Sequence, residues 1–137
     1  MIIAVIDGQG GGIGKLLVEK LRKELPDIEI IALGTNSLAT SNMIRAGADE
    51  GATGENAIVI NASRVDVIVG TVGIIAANSM LGELTPAMAA AIAESPAKKL
   101  LLPLNRCNIE IVGTEKSESF PALVDKAVKA LKENMSK

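Results

Sequence analysis

The sequence predicts an α/β three-layer sandwich on a mostly parallel sheet, and three observations carry that expectation. Short runs rich in β-branched residues alternate with stretches of helical periodicity along the chain. The first run, Ile2-Ile3-Ala4-Val5-Ile6, is apolar without alternation, as in a strand covered on both faces. It ends in Asp7-Gly8-Gln9-Gly10-Gly11-Gly12-Ile13-Gly14-Lys15, a glycine-rich turn ahead of a helix.

The elements follow in order. Ile13, Leu16, Leu17, Leu21 and Leu25 recur at helical spacing until Pro26 ends the pattern. Glu29 to Leu33 reads as the second strand, and Asn36 or Ser37 can cap a helix that closes near Ala46-Gly47. Ala48 to Gly54 is short and glycine-rich, with room for a brief third strand before a helical segment from Glu55 to Ser63. Val65 to Val69 is a further buried strand closed by Gly70, and Gly73 to Met80 has the composition of a short helix. Thr85-Pro86 joins a capping hydroxyl to a first-turn proline, starting a helix that reaches Glu94-Ser95-Pro96. Leu100 to Leu104 and Ile109 to Val112 read as strands, and a connection too short for a parallel crossover predicts a C-terminal antiparallel hairpin. Leu123, Val124, Ala127, Val128 and Leu131 mark a closing amphipathic helix. With no linker, repeat or low-complexity segment, residues 1–137 are expected to form one Rossmann-like domain.

Composition excludes several function classes. The chain of 137 residues is 48% hydrophobic and 22% charged, with a net charge of -2. No basic stripe and a single aromatic residue, Phe120, argue against nucleic acid as a partner. Asp7 interrupts the opening apolar run, so a membrane span or signal peptide is not expected, and the location expected is cytoplasmic. One cysteine and no histidine leave neither an internal disulfide nor a zinc set, and no metal is expected. Without histidine or tyrosine the chain has few means of acid–base chemistry near neutral pH.

The candidate site follows from strand order. Ligands of parallel α/β sheets bind beyond the carboxyl ends of the strands, where the order reverses. That rim gathers Gly8, Gln9, Gly10, Gly11, Gly12, Ile13 and Gly14 of the turn, Thr35 and Asn36, Gly70, Thr71 and Gly73, and Arg106. Glycines let backbone amides approach an anion, and the helix that follows adds free amides and partial positive charge. The expected ligand is therefore a nucleotide or another phosphorylated small molecule. The plainer reading, tight strand–helix packing, has to explain five glycines within seven residues.

The turn satisfies neither the dinucleotide fingerprint nor the phosphate-loop pattern, since Leu16 stands where the latter needs a metal-binding hydroxyl. Gly8-x-x-x-Gly12-Ile13-Gly14 is similar to the cofactor turn of short-chain dehydrogenases, with Asp7 in place of the usual threonine. That resemblance covers about the first thirty residues and implies a phosphate-binding role for Gly8, Gly12 and Gly14. It implies no reductase activity, because the family's catalytic tyrosine has no counterpart. Gly34-Thr35-Asn36-Ser37 lacks the acid that holds NAD ribose hydroxyls, which leaves NADP, another nucleotide or a phosphorylated metabolite open. Helix capping is the simpler and favoured account of Asn36 and Ser37, whereas an ordinary strand–helix turn explains Gly70-Thr71-Val72-Gly73 about as well as a pocket wall does.

Asn105-Arg106-Cys107-Asn108 concentrates the remaining chemistry. Arg106 suits a phosphate or carboxylate. Cys107 has no histidine to activate it and reads as a small buried hydrophobe. Of the carboxylates, Asp7 and Glu55 draw notice, with Asp7 expected to brace the turn by accepting amides.

The whole chain also resembles an uncharacterised bacterial family, domain-of-unknown-function family 3842. Val5 to Gly14, Ala32 to Asn36, Gly47 to Asn56, Asn78 to Glu83 and Pro103 to Arg106 carry the likeness. It implies a small bacterial Rossmann-like protein and brings no reaction or functional residue with it. Three functions stay open in this order: a ligand-binding module, a small transferase or oxidoreductase using that ligand, and a structural subunit. The alanine-rich run Pro86 to Ala93 can pack against a second copy, and a homodimer is compatible with each.

Overall fold

The computed structural model describes residues 1–104, 108–114 and 118–135. Five strands form one sheet: β1 (Ile2–Asp7), β2 (Glu29–Gly34), β3 (Glu50–Thr53), β4 (Val67–Thr71) and β5 (Lys98–Leu102). Their spatial order is β3-β2-β1-β4-β5, and every described pairing is parallel. The helices are α1 (Gly12–Glu24), α2 (Ser37–Arg45), α3 (Glu55–Ala62), α4 (Pro86–Glu94) and α5 (Phe120–Met135), with a 3-10 turn over Val72–Ile75.

The period of two in β1 divides the core. Ile3 and Val5 join Leu17, Val18 and Leu21 of α1, Met43 of α2, and Val124, Val128 and Leu131 of α5 on one face. Ala4 and Ile6 pack on the opposite face with Ile58 and Ala62 of α3 and Met88, Ala89 and Ile92 of α4. Since β1 lies centrally with helices over both faces, neither side of it can be polar until Asp7, where the strand ends. The result is a Rossmann-like three-layer sandwich.

Several local expectations hold in detail. Asn36 caps α2 by accepting the Ala39 N–H at 2.9 Å. Thr85 caps α4 by accepting the Met88 N–H at 3.2 Å. The third strand forms as a short edge strand, Glu50–Thr53.

The antiparallel hairpin does not form. Residues 109–112 are not a strand. Asn108 and Gly113 take left-handed backbone conformations at the two ends of that run, with φ of 58° and 94°. Thr114 donates its hydroxyl to the Ile111 carbonyl at 2.7 Å, and Val112 is 93% exposed. A β-prone run bent at both ends has no straight segment to offer β5.

At the amino end of the sheet, Arg22 of α1 fastens the α1–β2 and α2–β3 connections together. Its guanidinium donates to the carbonyls of Gly47, Pro26 and Ile28 and to Asp49 Oδ2 at 2.7–3.0 Å. Asp49 Oδ2 also accepts the Ile30 N–H at 2.8 Å. That amide and the Arg22 charge hold the Asp49 carboxyl below its usual range. Arg22→Ala removes all four donations together. It should cost about 1–3 kcal/mol, read as a lower urea midpoint with an unchanged slope.

Candidate functional site

The chain leaves β1 at Asp7 and enters α1 at Gly12, so four residues make the whole connection. Gln9 and Gly11 do so in left-handed conformations, with φ of 51° and 72°. The Gly11 N–H returns to the Gly8 carbonyl at 3.0 Å. Asp7 is 4% exposed, and its Oδ2 accepts the Gly14 N–H at 2.7 Å, bracing the first turn of α1. The turn's carbonyls are held from α2: Asn36 donates to Gln9 O at 2.9 Å and Asn42 to Gly10 O at 2.8 Å. With its carbonyls tied back, the turn leaves amides outward. No described residue accepts from Gly10, Gly12 or Ile13.

The five glycines fall into two groups. A Cβ on Gly8 would lie 2.6 Å from Met80 Sδ, one on Gly11 2.7 Å from Ala39 Cα, and one on Gly14 2.9 Å from Asp7 Cβ. Packing explains those three. At Gly10 and Gly12 an added Cβ would meet nothing within 4 Å, and neither has a positive φ. Neither crowding nor backbone conformation requires glycine there.

Both open glycines line a cleft of about 550 Å³. Its walls run from Asp7 and the turn through Thr71, Gly73 and Ser79 to Met80, Leu81, Leu104 and Phe120. The cleft lies between the carboxyl ends of β1 and β4, where the strand order reverses. Thr71 is 7% exposed; its Oγ1 accepts the Gly73 N–H at 3.2 Å, and its hydroxyl donates to no described residue. Ser79 Oγ donates to Gly73 O at 2.6 Å. One end of the cleft is thus polar and backbone-rich, and the other is apolar.

The remaining candidates lie elsewhere. Gly70 is buried beneath Ile74, whose Cδ1 would sit 2.9 Å from an added Cβ. Thr35 and Asn36 do not line the cleft but stand on the β2 side of the turn. Arg106, with Asn105 and Cys107, lies outside the described residues. Glu55 accepts the Thr85 hydroxyl at 2.6 Å, fastening α3 to the cap of α4.

Sequence reasoning missed Glu83. One oxygen of this carboxylate, Oε1, accepts from Gln9 N at 2.8 Å, Thr35 Oγ1 at 2.7 Å and Asn36 Nδ2 at 2.8 Å. The Gln9 amide and then the Thr35 hydroxyl are the main causes that hold its carboxyl below the usual glutamate range, against the opposing effect of burial. Glu83 arrives on residues 76–84, where Asn78, Met80 and Leu81 all have positive φ. Asn78 and Ser79 shape this loop: Asn78 N–H donates to Leu84 O at 2.8 Å, and the Ser79 hydroxyl anchors it to Gly73. Glycine and asparagine bracketing a polar break in an apolar stretch were the available signal.

Residues 2–136 match the family described as Domain of unknown function (DUF3842). The chain belongs to that family. No curated protein matches the sequence. Among solved structures, this DUF3842 chain is similar to a dodecameric FMN-dependent UbiX-like decarboxylase from Escherichia coli O157:H7. Identity is 17% and the TM-score 0.50, over 99% of this chain and 94% of that one. The likeness is one of fold. Among the described residues of the DUF3842 chain, no helix is long and apolar enough to cross a membrane.

Two expectations follow from the turn. Gly8→Ala should destabilise the fold by about 1–3 kcal/mol, whereas Gly12→Ala should stay within about 0.5 kcal/mol, both by urea denaturation. Glu83 has a lower pKa folded than unfolded, so its stabilisation is complete above the unfolded value of about 4.3. It is lost as pH falls through the folded value. Glu83→Gln should flatten the acid limb of stability against pH.

Proposed function

We propose that this cleft binds a nucleotide or another phosphorylated small molecule, with the phosphate on the amides of the glycine turn. One observation carries the reading: Gly10 and Gly12 are glycine where the fold itself leaves room for a side chain. Removing both side chains opens the approach to the amides of Gly10, Gly12 and Ile13 at the start of α1. Three amides and a helix N-terminus suit an anion with several acceptor oxygens. The unused Thr71 hydroxyl proton supplies a further donor on the facing wall. Leu81, Leu104 and Phe120 suit the uncharged part of such a ligand.

An enzymatic use of the ligand is the second reading. The structural neighbour is named as FMN-dependent, and FMN joins a phosphate to a planar ring, the two chemistries that the cleft's ends would take. In a chain with no histidine or tyrosine, the bound ligand would carry most of the reaction and the protein would orient it.

With no Trp or Tyr, the protein's own near-ultraviolet absorbance is slight. Freshly purified protein is denatured and filtered, and the filtrate is examined by absorbance and mass spectrometry. A phosphorylated compound should be released by the wild type and be absent from Gly12→Val, whose branched side chain fills the approach while the fold persists. If the wild-type filtrate is blank, FMN, AMP and inorganic phosphate are titrated in a thermal-shift assay. Occupancy unaffected by Gly12→Val, or no shift with any probe, overturns the assignment.

A further inference from the structure

The residues flanking the turn differ on its two sides, and the difference bears on which phosphorylated ligand fits. In dinucleotide-binding folds, the cofactor extends across the end of β2, where an acid takes ribose hydroxyls. Here that region is already occupied. Residues 76–84 leave the end of β4, pass over Gly8 and deliver Glu83 to the end of β2. Its Oε1 takes the Gln9 amide, the Thr35 hydroxyl and the Asn36 amide together. Those are the donors with which the β2 side would have met a second ribose.

The contact is also tight. A Cβ on Gly8 would be 2.6 Å from Met80 Sδ and 3.2 Å from Glu83 Oε1, so no ligand atom fits between the turn and the strap. The strap is bonded within itself and at its base, through Asn78 N–H to Leu84 O and Ser79 Oγ to Gly73 O. Leu84 is fully buried beneath it. The open surface runs the other way, over Thr71, Gly73 and Ser79 to Leu104 and Phe120, and neither Thr35, Asn36 nor Glu83 borders it.

We propose that Glu83 is a specificity-determining latch: it closes the β2 side of the turn, so the site takes a mononucleotide and rejects dinucleotides such as NADP. This rests on the phosphate-binding reading above. A ligand anchored at the turn has one direction in which to extend, toward β4 and β5. The adenylate half of a dinucleotide would have to break three hydrogen bonds to a carboxylate and then leave that charge beside its own phosphates.

FMN and FAD make the test pair, since they share ring and first phosphate and differ by the adenylate. Dissociation constants for both are measured with the full chain by flavin fluorescence and calorimetry, for wild type, Glu83→Ala and Glu83→Gln. NMN and NAD provide a second pair. The wild type should bind the mononucleotide at least about tenfold more tightly than its dinucleotide. In Glu83→Ala the dinucleotide should bind about tenfold more tightly than it does to wild type. Amide hydrogen exchange should show faster exchange at Gln9 in Glu83→Ala, which checks that the latch has opened in a folded chain. Should Glu83→Ala fail to fold, Glu83→Gln replaces it, and the ratio of the pair must still narrow. Equal wild-type affinities within a pair, or dinucleotide binding weakened by Glu83→Ala, overturns the latch and leaves the phosphate site standing. No binding of either pair by any of the three proteins overturns the nucleotide reading, and the latch with it.

Discussion

The connection from β1 to α1 must turn within four residues and still leave its amides facing outward. Such a turn points its amides outward only if its carbonyls are held the other way, and at the exposed Gln9 and Gly10 this is a matter of orientation rather than of burial. Asn36 and Asn42 satisfy them from α2, and Asp7 takes the Gly14 amide from below. The position of α2 is in turn set by its cap, which is the same Asn36. One asparagine therefore joins helix capping to the shape of the candidate site. A change in how β2 meets α2 would be felt at the glycine turn before it was felt in the core.

The sheet and most helices were legible because they depend on local pattern and on continuous burial. Val67 to Thr71 is buried at every position, and its apolar run says so. The hairpin misled for a physical reason. Ile109 to Val112 has strand-like residues, but β-propensity reports a packed pleated surface, and bends at Asn108 and Gly113 remove the run from one. The glycine turn was legible as a whole. Which of its glycines are crowded and which stand open was not, because Ala39, Met43 and Met80 come from other elements. Glu83 was invisible for the same reason. It reaches Thr35 across 48 residues, so nothing local to the end of β2 announces the carboxylate that stands there.

Charge placement gives the two sides of the turn opposite characters. On the β2 side a carboxylate accepts from a backbone amide, a hydroxyl and a side-chain amide, so an arriving anion would find its donors engaged and a negative charge present. On the β4 side the amides of Gly10, Gly12 and Ile13 and the hydroxyl of Thr71 have no described acceptor. Asp7, the carboxylate nearest that side, directs Oδ2 to Gly14 N–H, so part of its charge is spent on the amide it braces. The β4 flank of the turn thus presents donors with no described acceptor and the β2 flank a carboxylate whose donors are engaged, and residues 76–84 border both flanks. Residues 76–84 place Glu83 over β2, and Ser79, Met80 and Leu81 of that segment form the wall of the open cleft. Closing one side and lining the other are two consequences of one loop conformation, so any ligand that loosened the latch would reshape the cleft it had entered.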